Sequence, residues 1–205
     1  MIKPKRDNYA IQTRQAQERF LTYDQQELIA RCRLRHDEDY FYIRFLGSPY
    51  RICRHTGSME RREGECWLDG NSFNEVLTIL DWLCDSKPDR YITGRWINPV
   101  TSGPSFHTGL QEGENPNAAF FDAHPEAFCA ACLALGGEEY PGADRSFAIE
   151  LVDGLRILVQ LWHGDEEFPP RVCCLWDANT YKYIRYETTW YATGLLLQRI
   201  RKHMQ

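Results

Sequence analysis

No apolar run in the 205-residue chain approaches the roughly 20 residues needed to span a bilayer, so the sequence offers no transmembrane helix. The start, Met1-Ile2-Lys3-Pro4-Lys5-Arg6, is basic but leads into Asp7, Gln12 and Arg14 where a secretion signal places an apolar stretch. The expectation is a cytoplasmic protein. Internal repeats and low-complexity tracts are absent, which sets aside solenoids and linker-like chains. No Gly-rich loop follows a strand-like segment and no G-x-S-x-G elbow occurs, so phosphate cradling and serine-type catalysis have no motif behind them. The histidines His36, His55, His107, His124 and His163 show no H-x-x-x-H pairing. An excess of positive charge is also missing: 24 Lys and Arg meet 29 Asp and Glu, a net of −5. That argues against nucleic acid as the partner, because phosphate binding relies on clustered cations.

The apolar content is 43%, enough to bury a substantial core without metal or disulfide. Six Trp and eleven Tyr make much of that core aromatic and bring polar atoms that need partners. The eight Cys are expected to be thiols, mostly small buried hydrophobes. Cys129-Ala130-Ala131-Cys132 has the spacing of redox dithiols and metal sites, but it lies in mid-helix with Cys132 on the face of Phe128 and Leu135, which favours packing. Cys173 and Cys174 are adjacent on a strand and point to opposite faces, so one metal cannot readily take both. Charge is uneven: residues 1–62 hold 13 Lys and Arg against 8 Asp and Glu, whereas 63–205 hold 11 against 21.

Periodicity divides the chain into two helices up to about residue 35, broken near Thr22-Tyr23, and a hairpin over 38–54 that turns at Gly47-Ser48-Pro49. A capping box at Ser72 and Glu75 opens a helix with the stripe Phe73, Val76, Leu77, Leu80, Leu83 and Cys84. Residues 88–123 read as a long loop punctuated by Gly and Pro, a length that in compact domains is often functional. A helix follows from Pro125 to Gly136, then a hairpin alternating over 147–161 about Asp153-Gly154, a strand from Val172 to Asp177, and a closing helix from about Glu187 to His203. The fold class is α+β: a mixed, largely antiparallel sheet covered by helices, in a single domain over 1–205 with residues 1–35 as a helical amino-terminal segment packing on the core.

Between two of the strands lies Trp162-His163-Gly164-Asp165-Glu166-Glu167-Phe168-Pro169-Pro170, with three consecutive carboxylates beside two prolines. In a semi-enclosed site such a run raises a carboxyl pKa or demands a cation. The stretch 161–170, with Leu175-Trp176-Asp177, Tyr183-Ile184 and Glu187, resembles a family catalogued as domain of unknown function 3786. Gly94-Arg95-Trp96 agrees more loosely. The resemblance implies a cytosolic protein of anaerobic bacteria or archaea, some relatives being associated with iron–sulfur or corrinoid proteins, and it implies no activity. Trp176 stands where relatives more often have Phe, and Arg185-Tyr186-Glu187 departs from a more acidic ending.

Three readings stay open. In the first, an accessory protein binds a small-molecule cofactor or metal centre in a pocket between the 94–116 and 163–170 loops, using Trp96, Phe106, His107, Trp162, Asp165, Glu166 and Phe168. In the second, a metal-dependent enzyme holds a divalent cation through Asp165, Glu166 and Asp177, with His163 as a nitrogen ligand and His107 close by if the loops converge. In the third, an interaction module docks an acidic protein partner through the basic amino-terminal third. A plainer reading of the acidic loop makes it a rigid strand connection whose carboxylates cap turns.

Overall fold

The computed structural model describes residues 8–99 and 116–205. Its first elements are helices α1 (Asn8–Phe20) and α2 (Gln25–Cys32), separated at Thr22-Tyr23 as the sequence implied. Asp24 caps α2, its side chain accepting from the backbone N–H of Gln26 and Glu27, which satisfies two donors that a helix start leaves open. Phe20, Leu28 and Cys32 are buried, so both helices lie on the core through one face.

Next comes a meander of five antiparallel strands, β1 (Arg35–His36), β2 (Tyr40–Phe45), β3 (Ser48–Cys53), β4 (Met59–Glu63) and β5 (Cys66–Leu68), paired in chain order. The β2–β3 turn falls on Leu46-Gly47, slightly ahead of the expected one, with φ of 44° and 76°. Two-residue hairpins favour this doubly left-handed geometry, which is unusual for Leu. Leu46 is held in it by donating its N–H to the Leu151 carbonyl at 2.9 Å, and its side chain is fully buried. Pro49 sits in β3 opposite Arg44, ahead of the first β3–β4 pair at Tyr50, where its missing N–H interrupts no ladder on that side.

Helix α3 (Phe73–Asp85) starts with the expected capping box: Ser72 Oγ accepts from the Glu75 N–H, and the Glu75 carboxylate accepts from the Ser72 N–H at 2.7 Å. Val76, Ile79, Leu80, Trp82, Leu83 and Cys84 are buried along it. The segment read as loop over 88–123 holds a short strand, β6 (Trp96–Ile97), and a short helix, α4 (Ala118–Asp122). Helix α5 (Pro125–Ala134) places Pro in its first turn, where the absent N–H has no helical partner to lose.

The remaining strands are β7 (Glu138–Glu139), β8 (Arg145–Val152), β9 (Leu155–Trp162) and β10 (Arg171–Asp177), which with β6 form a second sheet of order β6-β10-β9-β8-β7. The β8–β9 hairpin turns at Asp153-Gly154, both with positive φ. The single sheet expected from the sequence is therefore two antiparallel sheets, and the fold is α+β. Helix α6 (Tyr186–His203) closes the chain. Its start lacks a side-chain cap of its own. Asp81 of α3 takes that place, accepting from the Arg185 N–H at 2.9 Å, from the Arg185 guanidinium and from Thr188 Oγ1.

One hydrophobic cluster takes in both sheets and helices α1 to α6, from Phe20 and Phe41 to Trp176 and Ile200. Arg199 bolts α6 to the first sheet from within: its guanidinium donates to the carbonyls of Phe45 (3.1 Å) and Leu46 (2.9 Å), to Tyr50 Oη, and to Glu75 Oε1 at 2.9 Å. Burial pushes the Glu75 carboxyl upward, but hydrogen bonds from Tyr50 and Ser72 and the charge of Arg199 outweigh it and hold the group below its usual range.

Candidate functional site

The acidic loop folds on itself. Asp165 Oδ1 accepts from the N–H groups of Glu167 (2.8 Å) and Phe168 (2.7 Å), while the Asp165 N–H donates to the Phe168 carbonyl at 2.9 Å. Short Asp side chains favour such local turns, and here the turn uses one of the two carboxylate oxygens of Asp165, a residue that the metal reading assigned to a cation. Gly164 lies so close to Pro170 that a Cβ would meet its ring at 2.7 Å. The loop is lashed at its base, where the His163 N–H donates to Asp144 at 2.8 Å and the ring Nδ1 lies 2.5 Å from Asp122 Oδ1. Glu166, Glu167 and Phe168 project into solvent, Phe168 with 66% of its surface exposed.

Asp177 is elsewhere. It is buried and accepts from the Thr93 N–H (2.9 Å), Thr93 Oγ1 (3.0 Å), the Gly94 N–H (2.8 Å) and the Asn179 N–H (2.8 Å). All this capacity pins the chain entering β6 to the end of β10. Asp165 and Glu166 lie beyond the other end of β10, about 20 Å away at the rise of an extended strand. The expected grouping of Asp177 with Asp165, Glu166 and His163 is therefore not assembled, and among the described residues no three His, Cys, Asp or Glu side chains stand close enough to share an ion.

The expected cofactor walls separate in the same way. Trp162 pairs with Arg171 at one end of β10, and Trp96 pairs with Asp177 at the other. The Arg171 guanidinium lies over the Trp162 ring at 5.6 Å, and Trp96 packs edge-on against Tyr140. Phe106 and His107 lie outside the described residues. Cys132 is fully buried, and burial pushes its thiol well above the ordinary range and raises that of Cys129, the opposite of what a redox dithiol requires. Cys173 and Cys174 pair with Gln160 and Val159 and so face opposite sides of the sheet.

A different constellation appears on the outer face of the first sheet. Strand alternation turns Phe41, Phe45, Tyr50 and Ile52 into the core and leaves Tyr40, Tyr42, Arg44, Arg51, Arg62 and Trp67 facing out. Pairing sets Arg35 beside Tyr42, Tyr42 beside Arg51, and Arg62 beside Trp67. The Arg51 guanidinium lies 4.3 Å from the Tyr40 ring centre and 4.8 Å from that of Trp67, while Arg35 lies 5.4 Å from that of Tyr42. Tyr42 and Trp67 line a cleft of about 420 Å³ together with Arg35, Arg44, Pro49 and Arg62.

The cations of this face differ in how far they are committed. Arg51 is paired with Glu60 at 2.5 Å, and Arg62 with the exposed Glu65 at 3.0 Å. Arg35 and Arg44 are exposed and make no ion pair among the described residues. At the rim, Asp37 accepts from the Tyr42 hydroxyl at 2.6 Å, and this bond holds its carboxyl below the usual range. The sequence carried half of this signal: the outward parity of Tyr40, Tyr42 and Arg44 was readable. The neighbours from β1, β4 and β5 were not, because those strands have little apolar alternation.

Fold and cleft define an α+β protein of two antiparallel sheets with an amphipathic, cation-lined outer face. The family model for a domain of unknown function, DUF3786, matches residues 24–199, and the chain belongs to that family. The match begins at the cap of α2 and ends at Arg199. No curated protein and no solved structure matches the chain. No helix among the described residues is long and apolar enough to cross a membrane.

Proposed function

We propose that the protein is a non-catalytic docking module that binds an acidic, aromatic-bearing protein segment on the outer face of its first sheet. One observation carries this reading: two guanidinium groups that make no ion pair among the described residues, Arg35 and Arg44, line a cleft together with Tyr42 and Trp67. Arginine offers a planar donor fork to carboxylates and stacks on rings. Aromatic residues and Arg are the types enriched where proteins meet. A face of this composition suits a partner that brings carboxylates and an apolar ring together. The metal and cofactor readings have less to stand on, since their described residues are spent on turns or divided between the two ends of β10.

The test is fluorescence anisotropy with a labelled Glu-Glu-Tyr-Glu-Glu peptide and a single-stranded oligonucleotide of equal charge. The peptide is expected to bind, to weaken about tenfold or more on going from about 50 to about 300 mM salt, and to lose affinity in Arg35→Ala/Arg44→Ala but not in Arg14→Ala. Tighter binding of the oligonucleotide, or peptide binding that ignores both salt and the double substitution, overturns the reading.

A further inference from the structure

The occupant of the cleft can be narrowed. Resting on the docking reading above, we infer that it is the Asp165–Pro170 loop of a second copy of this chain. The loop carries what the cleft lacks. Glu166 and Glu167 are exposed and make no ion pair among the described residues, opposite to Arg35 and Arg44 in charge and equal to them in number. Phe168, 66% exposed, is the ring that the Tyr42 and Trp67 shelf would cover. A cleft of about 420 Å³ falls within the ~300–1,000 Å³ of pockets that enclose compact ligands.

Preorganisation strengthens the match. The Asp165 side chain ties the backbone of Glu167 and Phe168, and Gly164 packs against Pro170. The protruding segment therefore loses little conformational freedom on docking. Phe168 is one of several exposed large hydrophobics, and the turn that Asp165 makes fixes the backbone that carries it.

No residue of the loop lines the cleft of its own chain, so the proposed contact is between molecules. It is also heterologous: the loop of one copy meets the cleft of the next, which gives a ring if the rotation closes and a chain if it does not. This asymmetry makes a specific test possible. A copy with a disabled cleft still offers its loop, and a copy with a disabled loop still offers its cleft.

Sedimentation velocity reads the outcome. At about 50 mM salt the wild-type protein is expected to gain mass with concentration, and to return to monomer at about 300 mM. Arg35→Ala/Arg44→Ala and Glu166→Ala/Glu167→Ala/Phe168→Ala should each be monomeric alone. Mixed in equal amounts they should form a one-to-one dimer that grows no further. A synthetic peptide of residues 164–170 should dissolve the wild-type assembly, a measurement that depends on no variant folding.

Wild-type protein that stays monomeric at low salt sinks the inference, as does a mixture of the two variants that fails to pair. If the Glu-Glu-Tyr-Glu-Glu peptide still binds through Arg35 and Arg44 in that case, the docking face stands and only the choice of occupant falls. If that peptide also fails to bind, both fall.

Discussion

The two sheets have the same number of strands and the same antiparallel pairing, yet they treat their outer faces in opposite ways. On the second sheet the mid-strand outward positions Ser146, Ala148, Leu158 and Gln160 are at most 6% exposed, whereas Glu150 and Arg156 next to the turn are exposed and half-buried. Three of the mid-strand residues are small or apolar, and Gly142 lies against the amide of the fourth, Gln160. On the first sheet the outward positions are large, charged and aromatic, and they are exposed or half-buried. A sheet face that merely meets solvent needs polar residues. It does not need a tryptophan, two tyrosines and four arginines gathered on one face. Under the docking proposal the first sheet is the face left for a partner, whereas the centre of the second is already buried within its own chain.

The comparison is sharpest if both sheets share one cooperative unit. Arg199 tests this, because it joins the turn of the first sheet to α6 through two carbonyls, Tyr50 and Glu75. Arg199→Ala leaves the Glu75 carboxylate buried with its principal cation gone. The expected loss is about 3–5 kcal/mol, read by urea denaturation followed through tryptophan fluorescence and far-ultraviolet circular dichroism. Coincident transitions for both signals would make the sheets one folding unit. Two separated transitions would break the comparison into two independent domains.

Asp177 sharpens the other side, the anchored second sheet. Removing its carboxylate in Asp177→Ala strands the N–H groups of Thr93, Gly94 and Asn179, together with the Thr93 hydroxyl. A loss of about 2–3 kcal/mol is expected, with no change in the heat of titration by Mg²⁺, Ca²⁺ or Zn²⁺. Heat in the wild type that disappears in this variant would return Asp177 to the role of metal ligand and weaken the docking proposal.

Local signals in the sequence were reliable, and long-range ones were not. The capping box at Ser72 and Glu75 and the Asp153-Gly154 turn depend on neighbours a few residues apart, and both are present as expected. The β4–β5 hairpin was invisible because Met59–Glu63 is a run of Glu and Arg, poor strand formers, that are ordered by pairing with β3. Asp177 was misread for a related reason. Its partners Thr93 and Gly94 lie more than 80 positions away, and nothing near it in the chain shows that its oxygens are already used. The cationic cleft draws on all five strands of the first sheet, so it exists only once the register is set. The acidic loop was legible as a motif and misleading as chemistry: the nearest donors to Asp165 are backbone N–H groups two and three residues on, and these outcompete any distant ligand.

Asp165 gives the smallest effect on stability and the most informative one about the loop. Asp165→Ala removes two hydrogen bonds from an exposed turn, so the fold should lose only about 1 kcal/mol, seen as a small shift in the denaturation midpoint. Both glutamates and the phenylalanine remain in place. If the loop docks because it is held in shape, self-association at low salt should weaken far more than stability does. Asp165→Asn, which keeps an oxygen acceptor for the same N–H groups, should restore most of it. Equal association in wild type and Asp165→Ala would show that charge alone draws the loop, and that the turn contributes nothing to recognition.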